Sequence, residues 1–249
     1  YLYSALGDPL RDFFSRYQGT GALILALICL YRVPDFVMNI MNPFYLDVGY
    51  TLVEIAEIRK FFGVFMTMLG TFLGGVAVVR YGMMPALLIG AFAGPLSNLL
   101  FIWLAFQQHS LWSLFIAIGL DNVAGGFAGT CLIAYMSSLT SAGFTATQYA
   151  LFSALYALPG RIIASQSGRI VESAARWADA GGVLSGVRDV IASQAPQNFA
   201  SAVERSGVTP AALGAGYITF FAYSATIGVF AVILSVVVMR RVYRAAGRT

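Results

Sequence analysis

The chain has little charge, one histidine and two cysteines. Of its 249 residues 10% are charged, where an average soluble domain carries about 25%. So few charges cannot cover a water-facing surface, which excludes an ordinary soluble globule. The net charge of +4 is too slight for a nucleic-acid footprint. His109 is the single histidine, and Cys29 and Cys131 both lie in apolar runs, where cysteine behaves as a small hydrophobe. A disulfide is therefore not expected, and neither a zinc nor a haem site has a ligand set. No HExxH, GxSxG or paired-aspartate motif is present, so there is no nucleophile–base set and no enzyme is expected. No cofactor is implied.

What the chain has is apolar length. Hydrophobic residues make up 59% and aromatics 14%, and the mean hydropathy is +0.77. A membrane-spanning helix needs about 20 apolar residues. Reading the runs against their polar breaks predicts an all-α integral membrane protein with six transmembrane helices at 21–46, 53–79, 84–106, 111–137, 147–171 and 213–239. Residues 1–20 form a lead-in, 172–212 a long polar loop and 240–249 a basic tail. The runs are continuous rather than alternating, which disfavours a β-barrel. Arg11, Arg16, Arg80, Arg240, Arg241, Arg244 and Arg248 fall on one side of an alternating six-helix path, while the short loops near 47–52 and 107–110 hold no Lys or Arg. The positive-inside rule then puts both termini in the cytoplasm. Within the outer loop, Val183, Leu184, Val187, Val190 and Ile191 keep helical spacing, which predicts a short surface helix.

Charges near the centre of a bilayer are expensive and default to function. Arg32 and Asp35 sit mid-helix in the first span, Asp121 and Asn122 in the fourth, and Arg161 in the fifth. The competing reading is structural ion pairing, Arg32 with Asp35 or Asp121 with Arg161. Arg59 and Lys60 lie near a helix end and are expected to snorkel. Glu54 and Glu57 suit a helix N-terminus. Pro34 and Pro43 bracket Asn39 and Asn42, and Pro159-Gly160 precedes Arg161, so these spans are expected to break or kink. Gly70, Gly74, Gly75, Gly125, Gly126 and Gly129 read as helix-packing faces. Tyr31, Phe152 and Tyr156 read as packing before sugar stacking.

Several segments resemble a known family. PLRDFF at Pro9–Phe14, LYRVPDFVMN at Leu30–Asn39, DNVAGGFAGT at Asp121–Thr130 and FTATQYALFSALYALPGRII at Phe144–Ile163 resemble the second half of AmpG-type muropeptide permeases. GVAVVRYG at Gly75–Gly82 is similar to a loop motif of the wider major facilitator superfamily. The resemblance runs over about residues 9–172. It implies half of a facilitator, built as two inverted three-helix repeats, with an amino-terminal six-helix half as partner. It further implies an inner-membrane importer of anhydro-muropeptides, sugar–peptide fragments of cell wall, driven by proton symport, serving cell-wall recycling and β-lactamase induction. On that resemblance Arg32, Asn39, Asn122, Gln148 and Arg161 would bind substrate, and Asp35 and Asp121 would carry the coupled proton. The chain, which begins Tyr1-Leu2-Tyr3, reads as a segment of a longer protein in the lipid bilayer. An acetyl-coenzyme A transporter, a facilitator with another substrate and a self-assembling membrane scaffold are the alternatives.

Overall fold

The computed structural model describes residues 2–34, 38–200 and 207–246. Asp35 lies outside the described residues, and so does the side chain of Asn39. Among the described residues the structure is helical, with no strand. In chain order the helices are α1 (Leu2–Arg16), α2 (Gly21–Tyr31), α3 (Met38–Val48), α4 (Leu52–Glu57), a π-helical turn (Ile58–Gly63), α5 (Val64–Tyr81), α6 (Met83–Ala105), α7 (Leu111–Leu139), α8 (Thr145–Ser165), α9 (Ser167–Asp179), α10 (Ser185–Gln194) and α11 (Pro210–Ala246).

Four helical segments among the described residues are long and apolar enough to cross a membrane: Leu52–Tyr81, Met83–Ala105, Leu111–Leu139 and Pro210–Val242. Gly7–Arg16 and Gly21–Tyr31, bent by 110°, make a fifth if the pair is one span. The expected second, third, fourth and sixth spans are thus present, and among the described residues four, or five with the bent pair, of the expected six are found. The two that differ are the expected first and fifth spans. The expected first span is divided into α2 and α3 around Pro34. The expected fifth is α8, diluted by Gln148 and Arg161, and it stops at Ser165 instead of running to 171.

Local chemistry explains the helix ends. Thr51 and Glu54 form a capping box, with Thr51 Oγ1 accepting from the Glu54 N–H and the Glu54 carboxylate accepting from the Thr51 N–H. Gly49 (φ 119°) and Gly82 (φ 87°) take the left-handed turns that separate consecutive helices.

The helices gather the loops at two ends. At one end Arg241 donates to the Gly19 carbonyl at 3.0 Å, and Arg16 donates to the Leu139 carbonyl at 3.0 Å. At the other, Tyr50 donates to the Ser110 carbonyl at 3.0 Å and His109 lies 3.2 Å from Glu54. The segment expected as a polar loop is a packed cap on this second end, made of α9 and α10. Asn198 donates to the Ala105 and Gln107 carbonyls, satisfying the end of α6. Phe199, at φ 64°, is fully buried among Phe44, Tyr217 and Phe221, and its N–H bonds the Asp47 carbonyl at 2.7 Å. Of the predicted surface stripe Ile191 is buried, while Val183 precedes α10 and is 84% exposed.

The cavity-forming pair is α5 against α7. A Cβ on Gly70 would lie 2.2 Å from the Val123 carbonyl oxygen, and one on Gly126 2.4 Å from that of Thr67. The two backbones touch, as small-residue faces permit. At Gly75 a Cβ would meet nothing within 4 Å, so this glycine is not part of the seam. Gly70→Ala is expected to cost about 1–3 kcal/mol through overpacking. Gly75→Ala should leave the thermal midpoint of the purified protein unchanged, and equal shifts for the two variants would contradict the seam.

Candidate functional site

The break in the first expected span builds the site. The α2 helix stops at Tyr31, the Arg32 N–H bonds the Leu30 carbonyl, and Arg32 takes φ −111°, ψ 14°. The stranded Pro34 carbonyl lies 3.4 Å from both Asn98 Nδ2 of α6 and Ser224 Oγ of α11, and Asn98 also donates to Ser224 at 3.1 Å. All three residues are buried. Gly228 allows this knot, since a Cβ there would sit 2.3 Å from Pro95 Cγ and 2.8 Å from Pro34 Cγ. Tyr31 is pinned beside it, donating to the Leu87 carbonyl at 2.8 Å.

Held there, the Arg32 guanidinium reaches α7. A Cβ on Gly129 would lie 3.1 Å from Arg32 Nη1, and one on Gly125 3.8 Å from Nη2. These two glycines make room for a guanidinium, and Gly126 between them makes the helix seam. On another side Arg32 lies 6.0 Å from the centroid of Tyr156, a cation–π approach. The result is a cavity of about 380 Å³ lined by Arg32, Thr67, Thr71, Asp121, Asn122, Thr130 and the glycine face of α7. The Asn122 amide is oriented on both sides: Nδ2 donates to the Ile118 carbonyl at 2.7 Å, and Oδ1 lies 2.8 Å from the Thr67 hydroxyl.

Three of the predicted site residues, Arg32, Asp121 and Asn122, therefore share one cavity. Arg161 is exposed on α8 and does not line it. Gln148 is placed elsewhere, fully buried in a clasp between α1 and α8. Its Nε2 donates to the Pro9 carbonyl and to Asp12 Oδ2, both at 2.9 Å, and its Oε1 accepts from Arg16 at 3.1 Å and the Ser141 N–H at 2.8 Å. The Gln148 hydrogen bond, with Ser141 and the Arg16 guanidinium beside it, holds the Asp12 carboxyl below its usual range. The hydroxyls of Thr67, Thr71 and Thr130 were not singled out by sequence. Their signal is the spacing Gly63-Thr67-Thr71 facing Asn122-Gly126-Thr130, a small-polar stripe at four-residue intervals on two apolar helices. Asp47 stands at the edge of the expected short loop near 47–52. It is buried in α3, where Tyr217 donates to Oδ2 at 2.7 Å.

A guanidinium, a carboxylate, an oriented amide and three hydroxyls in an apolar surround can bind a polar, anion-bearing solute and exchange a proton with it. Among the described residues no group of acidic, histidine and cysteine side chains could hold a metal ion. No protein-family model matches the chain. A Rickettsia conorii protein named "Putative transporter AmpG 4" is 35% identical over 169 residues, covering 68% of this chain and 40% of that protein. An AmpG 1 protein of Rickettsia bellii is 38% identical over 150 residues, 60% of this chain and 37% of the relative. The chain is thus similar, over about two thirds of its length, to proteins named putative AmpG transporters. An AmpG 3 protein of Rickettsia prowazekii agrees, at 35% over 165 residues. The chain spans about 40% of the length of these AmpG-named relatives. It is a multi-pass membrane protein by its apolar helices and by these transporter relatives.

Gln148→Leu is expected to lower the thermal midpoint, because the buried Pro9 carbonyl loses its donor, at a cost of about 1–3 kcal/mol. A ligand-only role would leave stability unchanged. Because the Asp12 carboxyl is held low in the folded state, its contribution is present above the ordinary carboxylate range and is lost as pH falls through the folded value. The difference in midpoint between wild type and Asp12→Asn should therefore shrink on acidification.

Proposed function

We propose that this chain is the carboxy-terminal half of a major facilitator permease that imports anhydro-muropeptides across the bacterial inner membrane by proton symport. The observation that carries the reading is the cavity uniting Arg32 with Asp121 and Asn122 deep within apolar helices. AmpG-named relatives support it, and the motifs of α1, α2, α7 and α8 are those the family resemblance rests on. In this reading α2–α3, α4–α5, α6, α7, α8 and α11 are six crossings forming two inverted three-helix repeats. The Arg241–Gly19 contact supports an even number of crossings, because it joins the lead-in and the tail at one end. The excess of arginine at that end makes it cytoplasmic.

Arg32 pairs with a peptide carboxylate of the substrate. Asn122, the threonines and Tyr156 meet amides, hydroxyls and the sugar. Asp121, in a low-dielectric surround, takes the coupled proton, with Asp35 as second candidate and Asn39 and Arg161 as further substrate contacts. An amino-terminal six-helix half closes the cavity, and imported fragments feed cell-wall recycling and β-lactamase induction.

The test is uptake of labelled anhydro-muropeptide by vesicles holding the full-length protein. Arg32→Gln should reduce kcat/KM about tenfold or more, the worth of one charge-assisted pair. Asp121→Asn should keep substrate exchange and lose accumulation driven by a pH gradient. Wild-type uphill accumulation in both Asp121→Asn and Asp35→Asn would overturn the coupling role.

A further inference from the structure

The π-helical turn carries a cation that the proposed cavity does not use. Arg59 and Lys60 are adjacent, yet only Lys60 is exposed; Arg59 is half-buried. Snorkelling would carry both side chains to the membrane edge. Instead the Arg59 guanidinium turns across to α3 and donates to the Asn42 side-chain oxygen. Asn42 is a neutral acceptor, and among the described residues the ion pairs are Asp12–Arg16, Glu54–His109 and Arg188–Asp189, so Arg59 has no carboxylate partner there. A guanidinium on an apolar helix with only an amide to answer it is an incomplete pair.

Its position is informative. Gly63, one turn further along, faces the Asn122 amide, with a would-be Cβ 3.5 Å from Nδ2. Thr67, the next turn, lies 2.8 Å from Asn122 Oδ1. Arg32 lies on the far side of Asn122, against Gly125 and Gly129 of α7. Asn122 and Gly129 are separated by about 10 Å along the helix at 1.5 Å per residue. Along the helices the Asp121–Asn122 pair thus lies between Arg32 and the π-helical turn that carries Arg59, which is towards the Thr51–Ser110 end. π turns recur at functional sites because the added residue re-aims the side chains around it.

We propose that Arg59, steadied by Asn42, is an outer binding station that receives a substrate carboxylate before it passes Asp121 and Asn122 to reach Arg32. The proposal rests on the import reading above. It deepens that reading by naming a second carboxylate-recognising residue on the path. The planar guanidinium keeps further N–H groups for a carboxylate fork while Asn42 holds one.

Two measurements on the full-length protein test it. In a cysteine-free background, Asn42→Cys places a thiol beside Arg59. From the outside of right-side-out vesicles, an anionic membrane-impermeant methanethiosulfonate should label it faster than a cationic one. Adding Arg59→Gln should reduce that preference about tenfold, the scale of one close charge interaction. In uptake, with Asn42 and the native cysteines in place, Arg59→Gln should raise KM for a muropeptide with free carboxylates about tenfold with kcat within about twofold. A muropeptide whose peptide carboxylates are amidated should show no such rise, and Arg59→Lys should recover part of it. No labelling from outside, an unchanged reagent preference, or an equal KM rise for both substrates would overturn the station. Failure of the wild type to take up either muropeptide would retire the import reading, and the labelling result would then decide the station by itself.

Discussion

A helix that stops inside an apolar layer strands a carbonyl, and only protein can answer it there. In this chain that carbonyl belongs to Pro34, and Asn98 and Ser224 answer it from two other helices. The candidate site hangs on this one arrangement. Because α2 ends at Tyr31, Arg32 leaves the helical path and its guanidinium can lie across α7. The helices that satisfy the carbonyl, α6 and α11, are also those that clamp the break through Pro95 and Gly228. The polar knot and the apolar clamp are the same contact.

The second dependence is on side chains that are missing. Gly70 and Gly126 bring α5 and α7 to backbone contact, which lets Thr67 orient Asn122. Gly125 and Gly129, on the neighbouring stripe of α7, leave the volume into which Arg32 fits. One glycine-rich segment thus serves a seam and a cavity wall, separated by about 100° of helix rotation. Read as a packing motif alone, it accounts for only half of what it does.

The membrane class, the helical architecture and the positions of four spans were legible because apolar run length is a local property. So were Arg32, Asp121 and Asn122 as polar residues set in apolar runs, costly wherever they end up; that they line one cavity was not. The family resemblance was legible in short motifs over about two thirds of the chain. Gln148 was harder to read. Its motif is shared with the family, but its amide is consumed by Pro9, Asp12, Arg16 and Ser141, partners more than 130 residues away except for Ser141. The helix α10 was legible as a stripe, but its packing with α9 into a cap was out of reach, because Phe199 and Asn198 stand in a polar stretch and gain their roles only from the helix ends they meet.

What the sequence by itself determined is therefore a budget of polarity: an apolar chain, its helix-breaking prolines aside, in which each charged or amide side chain within a run must find a partner. Which partner each finds was decided by the tertiary structure. Arg32 meets glycines and Tyr156, Arg59 meets Asn42, Asp47 meets Tyr217, and Gln148 meets the lead-in helix. The reason is physical. Helix formation depends on neighbours within a turn, whereas satisfaction of a buried polar group depends on which helix faces it, and that facing is set by close-packed seams formed between residues far apart in the chain.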